Sequence, residues 1–279
     1  MPSLYSHIHL QNLCRKYGLN PSKKYGQNFL IDPEPVEKII EVGELSESDV
    51  VVEVGPGFGV LTEQVALRVK KIFSFEIEKK LESYWDEKKQ KMPQVEIIWG
   101  NVLKMFSAFI SKFSPPPTYK VLANLPYQIT SEVIRLFLEQ KNSPELMVFM
   151  VQKEVGERIC AQAGDMSLLS VAVQFYSKPE YVMTVPRSCF WPEPRVDSAI
   201  IKLIPQPRDS SIDEKKFFDL ARIAFANRRK LLIKNILPFV GKDSRSKIEE
   251  VLKKMGFDTN VRAQELSVDE WKTLYHELL

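Results

Sequence analysis

The sequence is poor in the residues that build disulfide frameworks and zinc sites. Its 279 residues include only three cysteines and three histidines. Cys14, Cys160 and Cys189 are widely separated, and no histidine stands at a zinc-binding spacing from any of them. An odd, scattered set of cysteines is typical of a reducing compartment. We therefore predict no disulfide framework and no metal site.

Long apolar runs are also missing. No stretch reaches the roughly 18 consecutive apolar residues of a membrane-spanning helix. The longest obvious run, Leu146 to Val151, has the length of a strand. The start of the chain shows no apolar signal-peptide core, so export is not expected. These absences favour a cytoplasmic protein without membrane attachment.

Acidic residues are absent from two segments, although the net charge is only +3. Residues 1–31 contain no acid and four basic residues: Arg15, Lys16, Lys23 and Lys24. Residues 220–242 contain no acid and six basic residues: Arg222, Arg228, Arg229, Lys230, Lys234 and Lys242. Such segments attract polyanions in a salt-dependent manner, and either one alone is equally consistent with a solvated helix face. Two of them flanking a nucleotide-binding type of fold favour nucleic acid.

Hydrophobic segments alternate with helical patterns along the first two thirds of the chain. Five segments rich in apolar and β-branched residues predict strands: 49–55, 71–76, 95–99, 119–124 and 146–151. Strands that alternate with helices predict a parallel, Rossmann-like α/β sheet. Two further candidate strands lie within 181–204, and Pro205-Gln206-Pro207 marks a boundary. We predict an α/β domain with a basic N-terminal arm over 1–205 and a helical domain over 206–279.

A glycine-rich loop follows the first predicted strand of the sheet. Gly55, Gly57 and Gly59 stand in E-V-G-P-G-F-G. Glycine permits positive φ and lets a ligand touch the backbone. The full G-x-G-x-x-G pattern of dinucleotide binders is absent, so the loop alone is a weak signal. Glu76 lies 21 residues after Gly55 at the end of the next strand, where an acid can accept both hydroxyls of a ribose. The alternative for Glu76 is an exposed acid in a first helical turn.

Four consecutive strand ends carry glycine, acid or amide residues: Gly55, Glu76, Asn101 and Asn124. Ligands of open α/β sheets bind across the carboxyl ends of the strands. The convergence predicts a nucleoside cofactor site. Asn124 is also the first residue of the segment N-L-P-Y-Q-I-T. In one interpretation its amide, proline and tyrosine have purely structural roles in a turn and in the core. They could equally form a pocket for a flat, amine-bearing ring.

Five motifs together resemble those of the ribosomal RNA adenine dimethyltransferase family: Gln27-Asn-Phe-Leu30, Glu53-Val-Gly-Pro-Gly-Phe-Gly-Val-Leu-Thr62, Asn124-Leu-Pro-Tyr127, Gln152-Lys-Glu-Val155 and Phe190-Trp-Pro-Glu-Pro-Arg-Val-Asp-Ser198. The resemblance covers nearly the whole chain and favours the housekeeping small-subunit branch over the erythromycin-resistance branch. It implies a Rossmann-like methyltransferase domain that uses S-adenosylmethionine, and a helical domain that docks RNA. It further implies dimethylation of N6 of two adjacent adenosines in a 3′-terminal hairpin of the small-subunit RNA of an immature subunit, with a role in assembly. Separately from the resemblance, we expect the protein to be a monomer.

The resemblance also implies a set of residues around S-adenosylmethionine: Asn28, Leu30, Gly55, Glu76, Asn101 and Asn124. One of them departs from the family pattern. The family usually has aspartate at position 101, where it accepts a hydrogen bond from the adenine amino group. An asparagine oxygen can still accept, but without charge assistance. We therefore expect somewhat weaker cofactor binding.

The resemblance assigns the target adenine to the Asn124 turn. The Asn124 oxygen and the Leu125 carbonyl accept hydrogen bonds from the amine, Pro126 fixes the turn, and Tyr127 stacks on the base. By family position the second aromatic face is Phe190, with Trp191 as the alternative. Packing in the core beside Val185 and Val196 is the structural explanation for Phe190. Arg195 is either a phosphate ligand or a partner in a surface ion pair.

Three other functions are consistent with parts of the pattern. A nicotinamide-dependent oxidoreductase would share the sheet, but the incomplete glycine motif and Asn124-Leu-Pro-Tyr127 argue against it. A large-subunit RNA methyltransferase of the erythromycin-resistance type would share the Asn124 turn. A non-catalytic ribosome-assembly or RNA-binding factor, or a relative that acts as a transcription factor, would share the fold.

Overall fold

The computed structural model describes residues 3–20, 28–114 and 116–279, with the side chain of Lys242 excepted. Lys23, Lys24 and Gln27, which entered the predictions above, lie outside these ranges. The chain divides into two units. The first runs up to Gly156 and resumes over Pro179–Pro205, and the second comprises Glu157–Lys178 and Gln206–Leu279. Within the described ranges, no helix combines the length and the apolar character needed to cross a bilayer.

The elements follow one another in this order: α1 (His7–Lys16), β1 (Phe29–Leu30), α2 (Glu34–Gly43), β2 (Val50–Val54), α3 (Val60–Ala66), β3 (Lys71–Glu76), α4 (Glu82–Lys89), β4 (Val95–Trp99), α5 (Val102–Ile110), β5 (Lys120–Asn124), α6 (Thr130–Leu138), β6 (Leu146–Gln152), α7 (Lys153–Ile159), α8 (Leu168–Tyr176), β7 (Ser177–Val185), β8 (Phe190–Trp191), β9 (Ser198–Pro205), α9 (Glu214–Phe225), α10 (Leu232–Val240), α11 (Arg245–Lys254) and α12 (Val268–Leu278).

A seven-stranded sheet with the order β4-β3-β2-β5-β6-β9-β7 organises the first unit. The five strands predicted from the hydrophobic runs are all present and pair in parallel, and β9 joins β6 antiparallel. β2, β5 and β6 are almost entirely buried, as expected for strands covered on both faces. The predicted Rossmann-like fold class is therefore confirmed. The parallel order brings the carboxyl ends of β3, β2 and β5 side by side.

The N-terminal arm contains a helix that the sequence analysis did not predict. In α1 the side chain of Ser6 caps the helix by accepting a hydrogen bond from the His9 amide. Leu10 and Cys14 are buried on one face, at the i and i+4 positions of a helix. The arm is therefore packed against the sheet unit and is not only a basic extension.

The helical unit includes a segment that the prediction had assigned to the α/β domain. Residues 157–178 belong with Gln206–Leu279. The reason is aromatic packing and backbone pairing between segments far apart in sequence. The Phe175 ring of α8 lies 4.5 Å from the Phe217 ring of α9, and the Gly164 amide donates to the Gln264 carbonyl over 2.9 Å. The predicted limit at 205/206 coincides with one edge of this unit.

Candidate active site

One cavity opens at the carboxyl ends of β2, β3 and β5, within the first unit. All the predicted cofactor residues line it: Asn28, Leu30, Gly55, Glu76, Asn101 and Asn124. The turn residues Leu125, Pro126 and Tyr127 line it as well. Segments far apart in sequence are thus brought together around one space, as the strand-end argument predicts.

The glycine-rich loop between β2 and α3 forms one wall of the cavity. Gly55, Gly57 and Gly59 all have positive φ, between 56° and 85°. A Cβ atom on Gly55 would meet nothing nearer than Pro126 Cδ at 3.9 Å, so glycine leaves open space there for a ligand. A Cβ atom on Gly59 would come within 2.7 Å of the Trp85 ring, so glycine is needed there for packing.

Two aromatic residues of α4 hold this loop in place. The Trp85 indole nitrogen donates to the Gly57 carbonyl over 3.0 Å, and the Tyr84 hydroxyl donates to the Phe58 carbonyl over 2.5 Å. Both side chains are buried. This function was not predicted, because charged residues dominate the segment from 77 to 91. Two adjacent aromatic residues in such a segment were the available signal.

Glu76, the last residue of β3, is bound by the backbone of the loops around it. Its Oε2 atom accepts from the Gly57 amide over 3.0 Å, and its Oε1 atom accepts from the amides of Ile77 and Glu78 over 2.8 Å each. The residue is only 5% exposed, and burial raises the pKa of the carboxyl group. A carboxylate has about four acceptor positions, so at least one is left for a ligand hydroxyl.

The two predicted amides are each anchored. Asn101 is the N-cap of α5, and its Oδ1 atom accepts from the Leu103 amide over 2.9 Å. Asn124 ends β5, and its Nδ2 atom donates to the Asn28 carbonyl over 3.5 Å, which is a long hydrogen bond. An amide nitrogen only donates, so the Asn124 oxygen is the side-chain atom that can accept from a ligand amine.

Tyr127 begins the short 3₁₀ turn Tyr127–Ile129 directly after Pro126. Its hydroxyl lies 2.7 Å from the Ser198 hydroxyl at the start of β9, and burial raises the pKa of the phenol. The ring is therefore anchored at its far end while it lines the cavity. Ser198 is the last residue of the Pro-Glu-Pro-Arg-Val-Asp-Ser motif, and its contact with Tyr127 was not predicted.

Phe190 is placed differently from its predicted role as an aromatic face. It is 3% exposed, packs in the core cluster with Leu30 and Val185, and is not among the residues that line the cavity. Side chains alternate along a strand, so β8 directs Phe190 into the core and Trp191 the other way. The Trp191 ring lies 6.3 Å from the Phe29 ring and stacks on it. The core-packing explanation fits Phe190 here, although Val196, its other expected neighbour, is 45% exposed.

Glu53 of β2 is a second buried acid of the cavity, and the sequence analysis quoted it in the glycine motif without a role. It is 3% exposed and lines the cavity. Its Oε2 atom accepts from the hydroxyls of Thr62 and Ser74 over 2.8 and 2.7 Å. Burial raises the pKa of its carboxyl group to about 7. The depth of this position depends on packing and could not be deduced from the motif.

The lining fits a cofactor that combines an adenosine with a positively charged centre. Two buried carboxylates suit hydroxyl groups and a cation, and two amides suit the edge of a base. Ile77 and Val102 add apolar contact for a flat ring, a pair that the sequence analysis did not include. Ile77 is 49% exposed, which is unusual for such a side chain and is explained if the ring covers it.

Comparison with known proteins finds relatives that match nearly the whole chain. A family model described as ribosomal RNA adenine dimethylase matches residues 18–278. The ribosomal RNA small subunit methyltransferase A of Dehalococcoides mccartyi is 42% identical over 275 residues, which are 98% of this chain and 93% of that protein. The protein of the same name from Bacillus cytotoxicus is 39% identical over 277 residues, 96% of this chain and 95% of the relative.

Two solved structures share the fold over most of their length. A dimethyladenosine transferase from Plasmodium falciparum is 27% identical with a TM-score of 0.75, covering 88% of this chain and 95% of that one. The 23S rRNA methyltransferase ErmE is 26% identical with a TM-score of 0.73, covering 90% of this chain and 99% of that one.

Proposed function

The chain belongs to the ribosomal RNA adenine dimethylase family, and we propose that it dimethylates N6 of two adjacent adenosines in a 3′-terminal hairpin of small-subunit RNA. It is an S-adenosylmethionine-dependent enzyme, and the cofactor supplies an electrophilic methyl group on a sulfonium when it is bound. The proposal rests chiefly on one observation, that the Asn124 turn and the predicted cofactor residues line the same cavity. The substrate is the RNA of an immature subunit in the cytoplasm. The protein acts as a monomer in this proposal, in which the predicted cofactor residues of a single chain line one cavity.

The Asn124 turn has to make a poor nucleophile reactive. The lone pair of an adenine amine is delocalised into the ring. The Asn124 oxygen and the Leu125 carbonyl accept hydrogen bonds from the two N–H groups and favour a pyramidal nitrogen whose lone pair points at the methyl group. Pro126 keeps the two acceptors convergent. Catalysis is then mainly positioning and electrostatics within a preorganised site.

The target base has to leave its stack to reach this turn, at a cost of a few kcal/mol. Stacking on an aromatic side chain returns about 1–3 kcal/mol per base. Tyr127, anchored by Ser198, supplies one face. We propose Phe190 as the second face in the RNA-bound state, with Trp191 as the alternative. Phe190 has to turn out of the core to stack, whereas Trp191 is already half-buried near the surface.

Methyl transfer to defined RNA tests the function directly. The protein is incubated with tritiated S-adenosylmethionine and either immature small subunits or large subunits, and the RNA is digested to nucleosides. We expect the label in N6,N6-dimethyladenosine from two neighbouring positions of the small-subunit RNA. Label confined to large-subunit RNA would favour the erythromycin-resistance activity. Cofactor binding without any label would favour a non-catalytic assembly factor.

Restoring the family aspartate at position 101 is expected to tighten cofactor binding. The proposed partner of this side chain is the adenine amino group, and a hydrogen bond to a charged acceptor is stronger than one to an amide. Asn101→Asp should lower the Kd for S-adenosylmethionine about five- to tenfold, as measured by titration calorimetry. The α5 cap is kept, because aspartate also caps helices well. An unchanged Kd would contradict the assigned contact, and Asn101→Ala serves as the control without an acceptor.

The turn between α9 and α10 is the proposed RNA-docking surface of the helical unit. Arg228, Arg229 and Lys230 are exposed there, and none forms an ion pair with another described residue. The buried Asn235 amide shapes the turn by donating to the carbonyls of Ala224 and Asn227 over 2.7 and 3.1 Å. Three unpaired cations on an ordered turn suit contacts to phosphates.

Reversal of these three charges should weaken RNA binding and leave cofactor binding intact. In the triple variant Arg228→Glu, Arg229→Glu, Lys230→Glu we expect RNA affinity to fall at least about tenfold, with a salt slope smaller by about two to three. The measurement is RNA binding by filter retention across a range of salt concentrations. Lys253→Glu, an exposed reversal elsewhere in the unit, is the control. Equal RNA affinity of the triple variant and the unaltered protein at low and moderate salt would rule out this docking surface.

A further inference from the structure

Glu53 is a buried acid that the proposed mechanism leaves without a task. Both hydroxyl hydrogen bonds, from Thr62 and Ser74, reach the same oxygen of its carboxyl group. Within the described residues no cation pairs with it, and the ionisable group that acts on it most is another acid, Glu76. A buried carboxylate without a cationic partner is costly to keep. A positively charged ligand would remove that cost.

The strand register places Glu53 between the two proposed binding groups. β2 lies between β3 and β5 in the sheet. Glu53 stands opposite Ser74 on β3 and opposite Leu122 on β5. Glu76 and Asn124 each lie two residues beyond these partners, and alternate residues of a strand face the same side. Glu53 therefore lies on the strand between Glu76 and Asn124, two residues further from the carboxyl ends of the strands than they are. It lines the same cavity.

The path of the methyl donor follows from this arrangement. A donor whose ribose is held by Glu76 and whose methyl group faces an amine at Asn124 has to cross β2 between the two. Its sulfur centre would then lie near the end of β2, where Glu53 lines the cavity. We propose that Glu53 is a specificity-determining residue that favours the sulfonium form of the cofactor over the thioether product. This inference rests on the function proposed above for Glu76 and Asn124.

A preference for the donor over the product is useful in this reaction, because each dimethylation consumes two donor molecules. Methyl transfer removes one positive charge from the sulfur, and the rest of the cofactor is unchanged. A negative side chain near the sulfur therefore binds the donor more tightly than the product. Two methyl groups on one nitrogen require two donor molecules, so the spent cofactor has to leave between transfers. Glu53 thus favours exchange of product for fresh donor.

Calorimetric titration of Glu53→Gln with S-adenosylmethionine and with S-adenosylhomocysteine tests the inference. Glutamine keeps the size of the side chain and an oxygen for the two hydroxyls, but it removes the charge. We expect the donor Kd to rise about tenfold and the product Kd to change less than about twofold. Glu82→Gln, at an exposed acid of α4 outside the cavity lining, should change neither. Thermal unfolding verifies that both variants are folded.

Equal losses for donor and product would overturn the inference, because they would place the effect of Glu53 on a part shared by both molecules. Unchanged affinity for both would overturn it as well. If the unaltered protein binds neither molecule, the proposed function fails instead, so the two failures are distinguishable.

A second test measures how the preference of the unaltered protein for donor over product depends on pH. The pKa of the Glu53 carboxyl group is raised to about 7, chiefly by burial and also by the Glu76 carboxylate, while the hydroxyls of Ser74 and Thr62 oppose this rise. The group is neutral below this pH, so the preference for donor over product should grow as the pH rises from about 6 to about 8. The effect of Glu76 on the shared ribose cancels in the ratio. The ratio should be independent of pH in Glu53→Gln, and a flat ratio in the unaltered protein would contradict the proposal.

Discussion

Asn124→Ala is expected to lower kcat for RNA methylation by about 10²–10³-fold, the loss typical when one preorganised hydrogen-bonding group is removed from an active site. The alanine leaves one of the two amine hydrogens without an acceptor, so the nitrogen keeps its lone pair in the ring. The backbone of β5 and the Leu125 amide bond to the Met150 carbonyl do not involve the side chain. The turn should therefore stay in place. The rate is measured in single turnovers with tritiated cofactor and small-subunit RNA.

Saturating cofactor separates this effect from any role of Asn124 in holding the cofactor. The Asn124 side chain lines the cavity and donates to the Asn28 carbonyl, so a moderate rise in the Kd for S-adenosylmethionine is compatible with the assignment. Asn142→Ala is the matched control, since that amide holds the Pro117 carbonyl outside the cavity lining. Activity of Asn124→Ala close to that of the unaltered protein would remove the basis of the proposed mechanism.

The strand positions and the gathering of Gly55, Glu76, Asn101 and Asn124 around one cavity could be predicted because they depend on local pattern and on one rule of parallel sheets. Uninterrupted apolar runs identify buried strands. Parallel strands then bring their carboxyl ends to one edge, so Glu76 and Asn124 line the same cavity although they are 48 positions apart in the sequence. No knowledge of side-chain packing is needed for either step.

The features that could not be predicted all depend on packing between distant segments. Trp85 reaches the glycine loop only because α4 lies beside it. Phe190 is in the core because of the way β8 pairs with β1, which places it opposite Leu30. Residues 157–178 join the helical unit through contacts such as that between Phe175 and Phe217. A motif identifies which residues matter, but not the direction in which each side chain points.

Because backbone amides fix the position of Glu76, we expect its substitution to be the most damaging change for cofactor binding. Glu76→Gln is expected to raise the Kd for S-adenosylmethionine at least about 100-fold, since hydrogen bonds to a charged group are worth about 1.5–3 kcal/mol each. One carboxylate oxygen becomes an NH₂ group and then faces backbone N–H donors, either that of Gly57 or those of Ile77 and Glu78. The glycine loop loses an anchor, and the ribose loses a charged acceptor. Titration calorimetry measures the change.

The same substitution at the nearby acid Glu78 is the control that distinguishes a specific effect of Glu76 from a general loss of negative charge. Glu78 caps the short turn Lys79–Leu81, where its side chain accepts from the Lys80 amide, and it does not line the cavity. Glu78→Gln should therefore change the Kd for the cofactor less than about threefold. RNA affinity should remain unchanged in both variants, because the proposed docking cations lie in the other unit. If Glu76→Gln bound the cofactor as well as Glu78→Gln does, Glu76 would not hold the ribose. The proposed role of Glu53 assumes that the donor extends from Glu76 to Asn124 across β2. Without a ribose contact at Glu76, that placement of the donor would lose its support.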